Sequence, residues 1–131
     1  MMSEYDEYLE GWRNRLALRR EAGARRAERM REIASQCAAH LAQHYDVEAV
    51  YLFGSLAGGR TIHERSDIDL AVAGLPAKRY FSALKELWSF LPPDAELDLV
   101  PLEDARPPLR EIILREGNLL YERQRLSPAQ D

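Results

Sequence analysis

A chain of 131 residues has the length of a single domain, and at that size about two-thirds of the unfolded surface is buried on folding, so neither disulfides nor structural metals are needed. With 46% hydrophobic and 31% charged residues the composition is globular, and no long apolar run or basic start marks a membrane or secreted chain. The reading is therefore cytoplasmic, without a membrane partner, and the net charge of −4 argues against a general nucleic-acid binder.

From residue 5 to about 45 there is no proline, and Ala27, Met30, Ala34, Cys37 and Leu41 recur at helical spacing. One long helix, or two joined near Gly23, is expected. Cys37, set among Ala34, Ala38 and Leu41, reads as a small buried hydrophobe and not as a nucleophile. Residues 11–31 carry eight arginines against Glu21 and Glu28, a local charge of +6. A solvated helix face is the ordinary fate of such charges and is preferred over a docking surface. Trp12 and Leu16 nevertheless make an amphipathic arm longer than the fold needs, which suits oligomerisation or partner binding. His40 and His44, four apart, lack the glutamate of a zinc-protease helix and read as surface or boundary residues.

Residues 47–53, rich in Val, Tyr, Leu and Phe and followed by Gly54, predict a buried strand. A glycine-containing loop runs to Ser66. Residues 67–72 alternate acidic with apolar, predicting a strand with one buried face. A helix is expected over 77–91, with Tyr80, Leu84, Leu87 and Leu91 on one face, stopped by Pro92-Pro93. A third strand is expected at 96–102, and then a helix over 109–115 that Pro107-Pro108 begins and Gly117 ends. A short strand at 118–121 returns to the sheet. The expected organisation is α+β: a helical arm at 1–45 belonging to the same unit, a core at 46–122 built on one small mixed sheet packed with helices, and a disordered tail at 123–131.

Side chains at i and i+2 of a strand leave the same face, so Asp67 and Asp69 present two carboxylates side by side. Mg²⁺ would relieve their repulsion, since it takes one or two carboxylates together with triphosphate oxygens. A bare Asp-x-Asp is more often the wet side of an edge strand. Gly54-Ser55 changes the odds: a glycine directly after a strand lets backbone approach a phosphate, and nearby amides with the Ser55 hydroxyl can donate to it. A second metal ion calls for a third carboxylate, offered on the third strand by Glu96 or Asp98. Asp98, flanked by Leu97, Leu99 and Val100, is the choice, as the more enclosed of the two, serving as metal ligand and general base; Glu96 is the solvated alternative.

These motifs, Leu52-Phe53-Gly54-Ser55, then Ser66-Asp67-Ile68-Asp69-Leu70-Ala71-Val72, then Leu97-Asp98-Leu99-Val100, resemble the DNA-polymerase-beta-like nucleotidyltransferase superfamily. The short minimal nucleotidyltransferases are most similar, and residues 109–122 resemble their usual ending. The resemblance spans about 47–122. It implies a nucleotidyltransferase fold and transfer of AMP from ATP with Mg²⁺, two ions being held by Asp67, Asp69 and Asp98. Gly54, Ser55 and Ser66 would serve the nucleotide. It further implies an antitoxin that modifies a tyrosine of a helical toxin partner of the higher-eukaryote-and-prokaryote nucleotide-binding (HEPN) family. Gly58 stands where a basic residue often precedes the glycine, so Arg65 or Arg60 is expected to bring positive charge to the triphosphate.

Residues 54–61 also come close to a P-loop with arginine in place of lysine, but a P-loop must run into a helix, and only 62–65 separate Thr61 from the next strand. His63 reads as an exposed loop residue. Two functional classes follow: an enzyme transferring a nucleotidyl group to a hydroxyl, or a nucleotide-binding module, weak or inactive in catalysis, that neutralises a partner by contact.

Overall fold

The computed structural model describes residues 3–57 and 66–124. The first element, α1 (Glu4–Tyr45), is one uninterrupted helix. It starts on a reciprocal cap: Ser3 accepts from the Asp6 amide while the Asp6 carboxylate accepts from the Ser3 amide. It stops at Asp46, whose left-handed backbone turns the chain and whose carboxylate meets Arg123 at 2.7 Å. Gly23 does not break the helix, being buried along its inner face with Ala27, Met30, Ala34, Cys37, Ala38, Leu41 and Tyr45.

Among the described residues four strands form one sheet in the order β3-β2-β1-β4. They are β1 (Ala49–Phe53), β2 (Ser66–Ala73), β3 (Ala95–Pro101) and β4 (Asn118–Glu122). The sheet is mixed: β1 runs antiparallel to both neighbours, while β2 and β3 are parallel, joined through α2 (Tyr80–Trp88). A helix, α3 (Pro107–Glu116), with prolines in its first turn, leads to β4. Gly117 follows it with extended backbone, at a position where a Cβ would meet the backbone oxygens of Ile113 and, at 3.3 Å, Leu52.

Period-two alternation sorts the strand residues. Val50, Leu52, Ile68, Leu70, Val72, Leu97 and Leu99 join the inner face of α1 and Ala83 and Leu87 of α2 in one core. A full side chain of this kind stabilises by roughly 1.5–3 kcal/mol when buried. Helix α2 is clasped to α1 by polar contacts as well: the Tyr45 hydroxyl donates to Glu86, His40 Nε2 lies 2.8 Å from the other Glu86 oxygen, and Arg79 stacks over the Tyr45 ring. The hydrogen bonds pull Glu86 below the usual carboxylate range, Tyr45 first and His40 second. The helix expected over 77–91 is shorter than its apolar pattern because 77–79 form a tight 3₁₀ turn and the chain leaves the helix before Pro92. The third strand likewise stops at Pro101, followed by a 3₁₀ turn. The tail expected at 123–131 lies, from residue 125, outside the described residues.

Candidate active site

The chemistry-bearing residues gather where β1 ends and β2 and β3 begin. After Phe53, which pairs with Asp69, the chain enters a 3₁₀ turn, Gly54–Leu56. Gly54 takes φ +78°, a conformation that L side chains rarely adopt. Space also requires glycine: a Cβ at this position would sit 3.2 Å from the Asp69 Cγ and closer still to its Oδ2. The Gly-Ser turn and the Asp-x-Asp strand are thus in direct contact. The turn is held from the other side by Arg31 of α1, whose Nε donates to the Leu56 carbonyl at 3.3 Å.

Across the parallel pair, Asp67 stands opposite Glu96 and Asp69 opposite Asp98. All four carboxylates share a face and, with Trp88 at the end of α2, line one cleft of about 90 Å³. Asp67 and Asp69 are half-buried, Glu96 and Asp98 exposed. The expected enclosure of Asp98 is therefore corrected: Leu97 and Leu99 point into the core, which turns 96 and 98 alike to the open face. Asp98 stands in register with Asp69 as Glu96 does with Asp67. Burial, then the negative charge of Asp98, then that of Asp67 push the Asp69 carboxyl above the usual carboxylate range. Tyr80, whose hydroxyl donates to the Leu99 carbonyl at 2.6 Å, is raised by burial and then by Asp98.

Such a face asks for a cation. Among the described residues no three His, Cys, Asp or Glu side chains close into a metal shell by themselves. The donor set nonetheless fits Mg²⁺, which needs only one or two carboxylates when phosphate oxygens and water complete its octahedron. Asp67, Asp69 and Asp98 line one cleft, Gly54 adjoins it through Asp69, and Ser55 is exposed in the same turn. Ser66 opens β2 opposite Ala95; Arg65, with Gly58, Arg60 and His63, lies outside the described residues.

Two residues of this region went unread in the sequence. Trp88 was one more apolar residue of an amphipathic helix, and it is 43% exposed beside the carboxylates. Arg31 was counted with a solvated arginine face, and no local signal foretold a partner 25 residues away.

The polymerase beta nucleotidyltransferase family model, "Polymerase beta, Nucleotidyltransferase", matches residues 35–126. The chain belongs to this family. It is a nucleotidyltransferase by family, with the nucleotidyltransferase fold. A toxin–antitoxin crystal structure with AMP-PNP is 30% identical with a TM-score of 0.56, over 69% of this chain and 74% of that one. A mutant of the toxin–antitoxin MntA-HpeT is 26% identical with a TM-score of 0.55, over the same shares of the two chains, 69% and 74%. No curated protein matches this nucleotidyltransferase in sequence. Among its described residues no helix is long and apolar enough to cross a membrane.

Proposed function

We propose that this nucleotidyltransferase transfers AMP from ATP to a hydroxyl of a protein partner, a tyrosine of a helical HEPN-type toxin, and so acts as an antitoxin. The observation that carries the reading is the contact of the Gly54 turn with Asp69, in register with Asp98 and next but one to Asp67. The AMP-PNP in one similar structure supports ATP, and the toxin–antitoxin nature of both supports the class of partner.

Asp67 and Asp69 would hold Mg²⁺, with Asp98 completing a two-ion set. When bound, the metal neutralises triphosphate charge and the charge that develops as pyrophosphate leaves. The residues themselves mainly position and orient. The amides of the Gly54–Leu56 turn and the Ser55 hydroxyl donate to phosphate oxygens, which the absence of a Cβ at Gly54 lets come close to Asp69. A carboxylate oxygen of Asp98 takes the proton from the acceptor hydroxyl; the oxygen bonds to the α-phosphorus, the α–β phosphoanhydride bond breaks, and pyrophosphate carries the electrons away.

The test is to incubate the chain with ATP labelled at the α-phosphate, Mg²⁺ and the protein encoded beside it, next to an Asp67→Ala, Asp69→Ala double variant. Metal-dependent label on the partner with the wild type alone is expected. Absence of label would end the enzymatic reading for that acceptor, and a double variant that still silenced the toxin would show that contact suffices.

A further inference from the structure

The inner stripe of α1 does not end where the core ends. Counting back from Gly23 along a helix of 3.6 residues per turn, the same side passes Arg19 and then reaches Leu16, Trp12, Leu9 and Tyr5, in line with Ala27, Met30, Ala34, Cys37 and Leu41, which are buried farther on. Yet residues 4–22 contain no buried side chain: Tyr5 is 69% and Trp12 51% exposed. The hollows along this stretch are lined by its own residues, Trp12, Arg15, Leu16 and Arg19 among them. At 1.5 Å per residue the overhang reaches about 28 Å beyond the core. Most helical stability in proteins comes from packing an apolar face, and this stretch packs its face on nothing among the described residues.

The charges along the overhang indicate what covers it. Its beginning is acidic, with Glu4, Asp6, Glu7 and Glu10, and its second half is basic, with Arg13, Arg15, Arg19 and Arg20. A parallel pair of such helices would set acid on acid and arginine on arginine. An antiparallel pair sets them crosswise. We propose that residues 4–22 pair antiparallel with the same segment of a second copy of the chain, about a two-fold axis beside Trp12.

In that arrangement Leu9 of one copy packs against Leu16 of the other, and the two Trp12 rings meet near the axis. On one flank of the stripe Glu4 faces Arg19 of the second copy, and Tyr8 faces Arg15, whose guanidinium suits a ring face. On the other flank Asp6 faces Arg20. The like-charge meeting is Arg13 with its own copy, close to the axis. A self-complementary patch of this kind is what a two-fold dimer requires. Its extent lies at the small end of specific interfaces, the class of weak and transient association.

The test is sedimentation velocity of the full chain from about 1 to 100 µM, a span that reaches weak association. Concentration-dependent dimerisation is expected, and a monomer throughout overturns the proposal. Trp12→Glu should abolish the dimer with an unchanged thermal melt of the core; a dimer that survives it overturns the assignment of the surface. Arg19→Glu should weaken association at least tenfold and added Glu4→Arg restore it, whereas failure of that restoration refutes the pairing. Oxidation decides orientation: Trp12→Cys should link to its copy and Tyr5→Cys should not, because antiparallel copies of Tyr5 lie roughly 20 Å apart along the axis. Equal linking at both positions would mean a parallel pair. Toxin neutralisation by a Trp12→Glu monomer would leave the proposed enzymatic function standing, so the two readings fail separately.

Discussion

Alanine at Gly54 probes the contact between turn and carboxylate at its tightest point, and Gly74→Ala supplies the control. Both glycines have positive φ, +78° and +85°, so each substitution costs about 1–2 kcal/mol in backbone strain. Both also meet neighbours: the Gly54 Cβ would press on the Asp69 carboxylate, and the Gly74 Cβ would lie 2.7 Å from Glu48 Cγ and 2.9 Å from its amide nitrogen. For a chain of this size the shared strain lowers Tm by about 4–8 °C in each variant. The two part in activity. Relief at Gly54 comes by moving the Asp69 carboxylate, and a displacement of about 1 Å in a reacting constellation costs on the order of 100-fold. Relief at Gly74 moves Glu48, away from the cleft. Thermal melts and Mg²⁺-dependent label transfer from ATP, measured on both variants, should therefore show Gly74→Ala melting at least as low as Gly54→Ala, because its Cβ meets the Glu48 backbone, with rates about 100-fold apart in the opposite sense. Equal rates would refute the claim that the bare Cα of Gly54 makes room for Asp69.

Asp69→Asn should stabilise the metal-free chain while abolishing transfer. The raised carboxyl means that its ionised form is disfavoured in the fold: stability is greatest below the ordinary aspartate range, falls as pH climbs through the raised value, and stays lower at neutral pH. Because the group is half-exposed, solvent screening keeps the gain in melts near neutral pH under about 1 kcal/mol. Millimolar Mg²⁺ should raise the melt of the wild type and not of the variant; a variant that melts lower than wild type at neutral pH would contradict the argument. Arg31→Met, which frees the Leu56 carbonyl, should raise KM for ATP several-fold with kcat little changed, while an equal fall in kcat would show that Arg31 does more than position the turn. The Cys37 thiol, pushed up to about 12 by burial, should resist iodoacetamide in the native chain and react on unfolding; rapid native labelling would contradict its place in the core.

Sequence periodicity was enough for the helices and strands, because burial on one face leaves a trace at every second or every third and fourth residue. The Gly54-Ser55 and Asp67, Asp69 motifs were each legible as well, since a glycine at a strand end and two carboxylates on one strand face are local facts, while their contact was seen only in the fold. Asp98 and Glu96 were named for their alternation and Asp98 was chosen for its apolar neighbours, but that both stand beside the Asp67 and Asp69 pair required the register of β3 on β2, a relation between segments nearly thirty residues apart. The enclosure inferred for Asp98 from its apolar neighbours failed for the same reason: in a strand those neighbours occupy the opposite face.

The amino-acid sequence by itself determined the element types, the acidic and glycine motifs and the family, each of which rests on spacing along the chain. Tertiary structure decided which carboxylates share a cleft, that Arg31 braces the turn, that Trp88 stands beside the acids, and where along α1 the core stops. Those are contacts across long separations, set by sheet order and helix packing, and no local pattern encodes them.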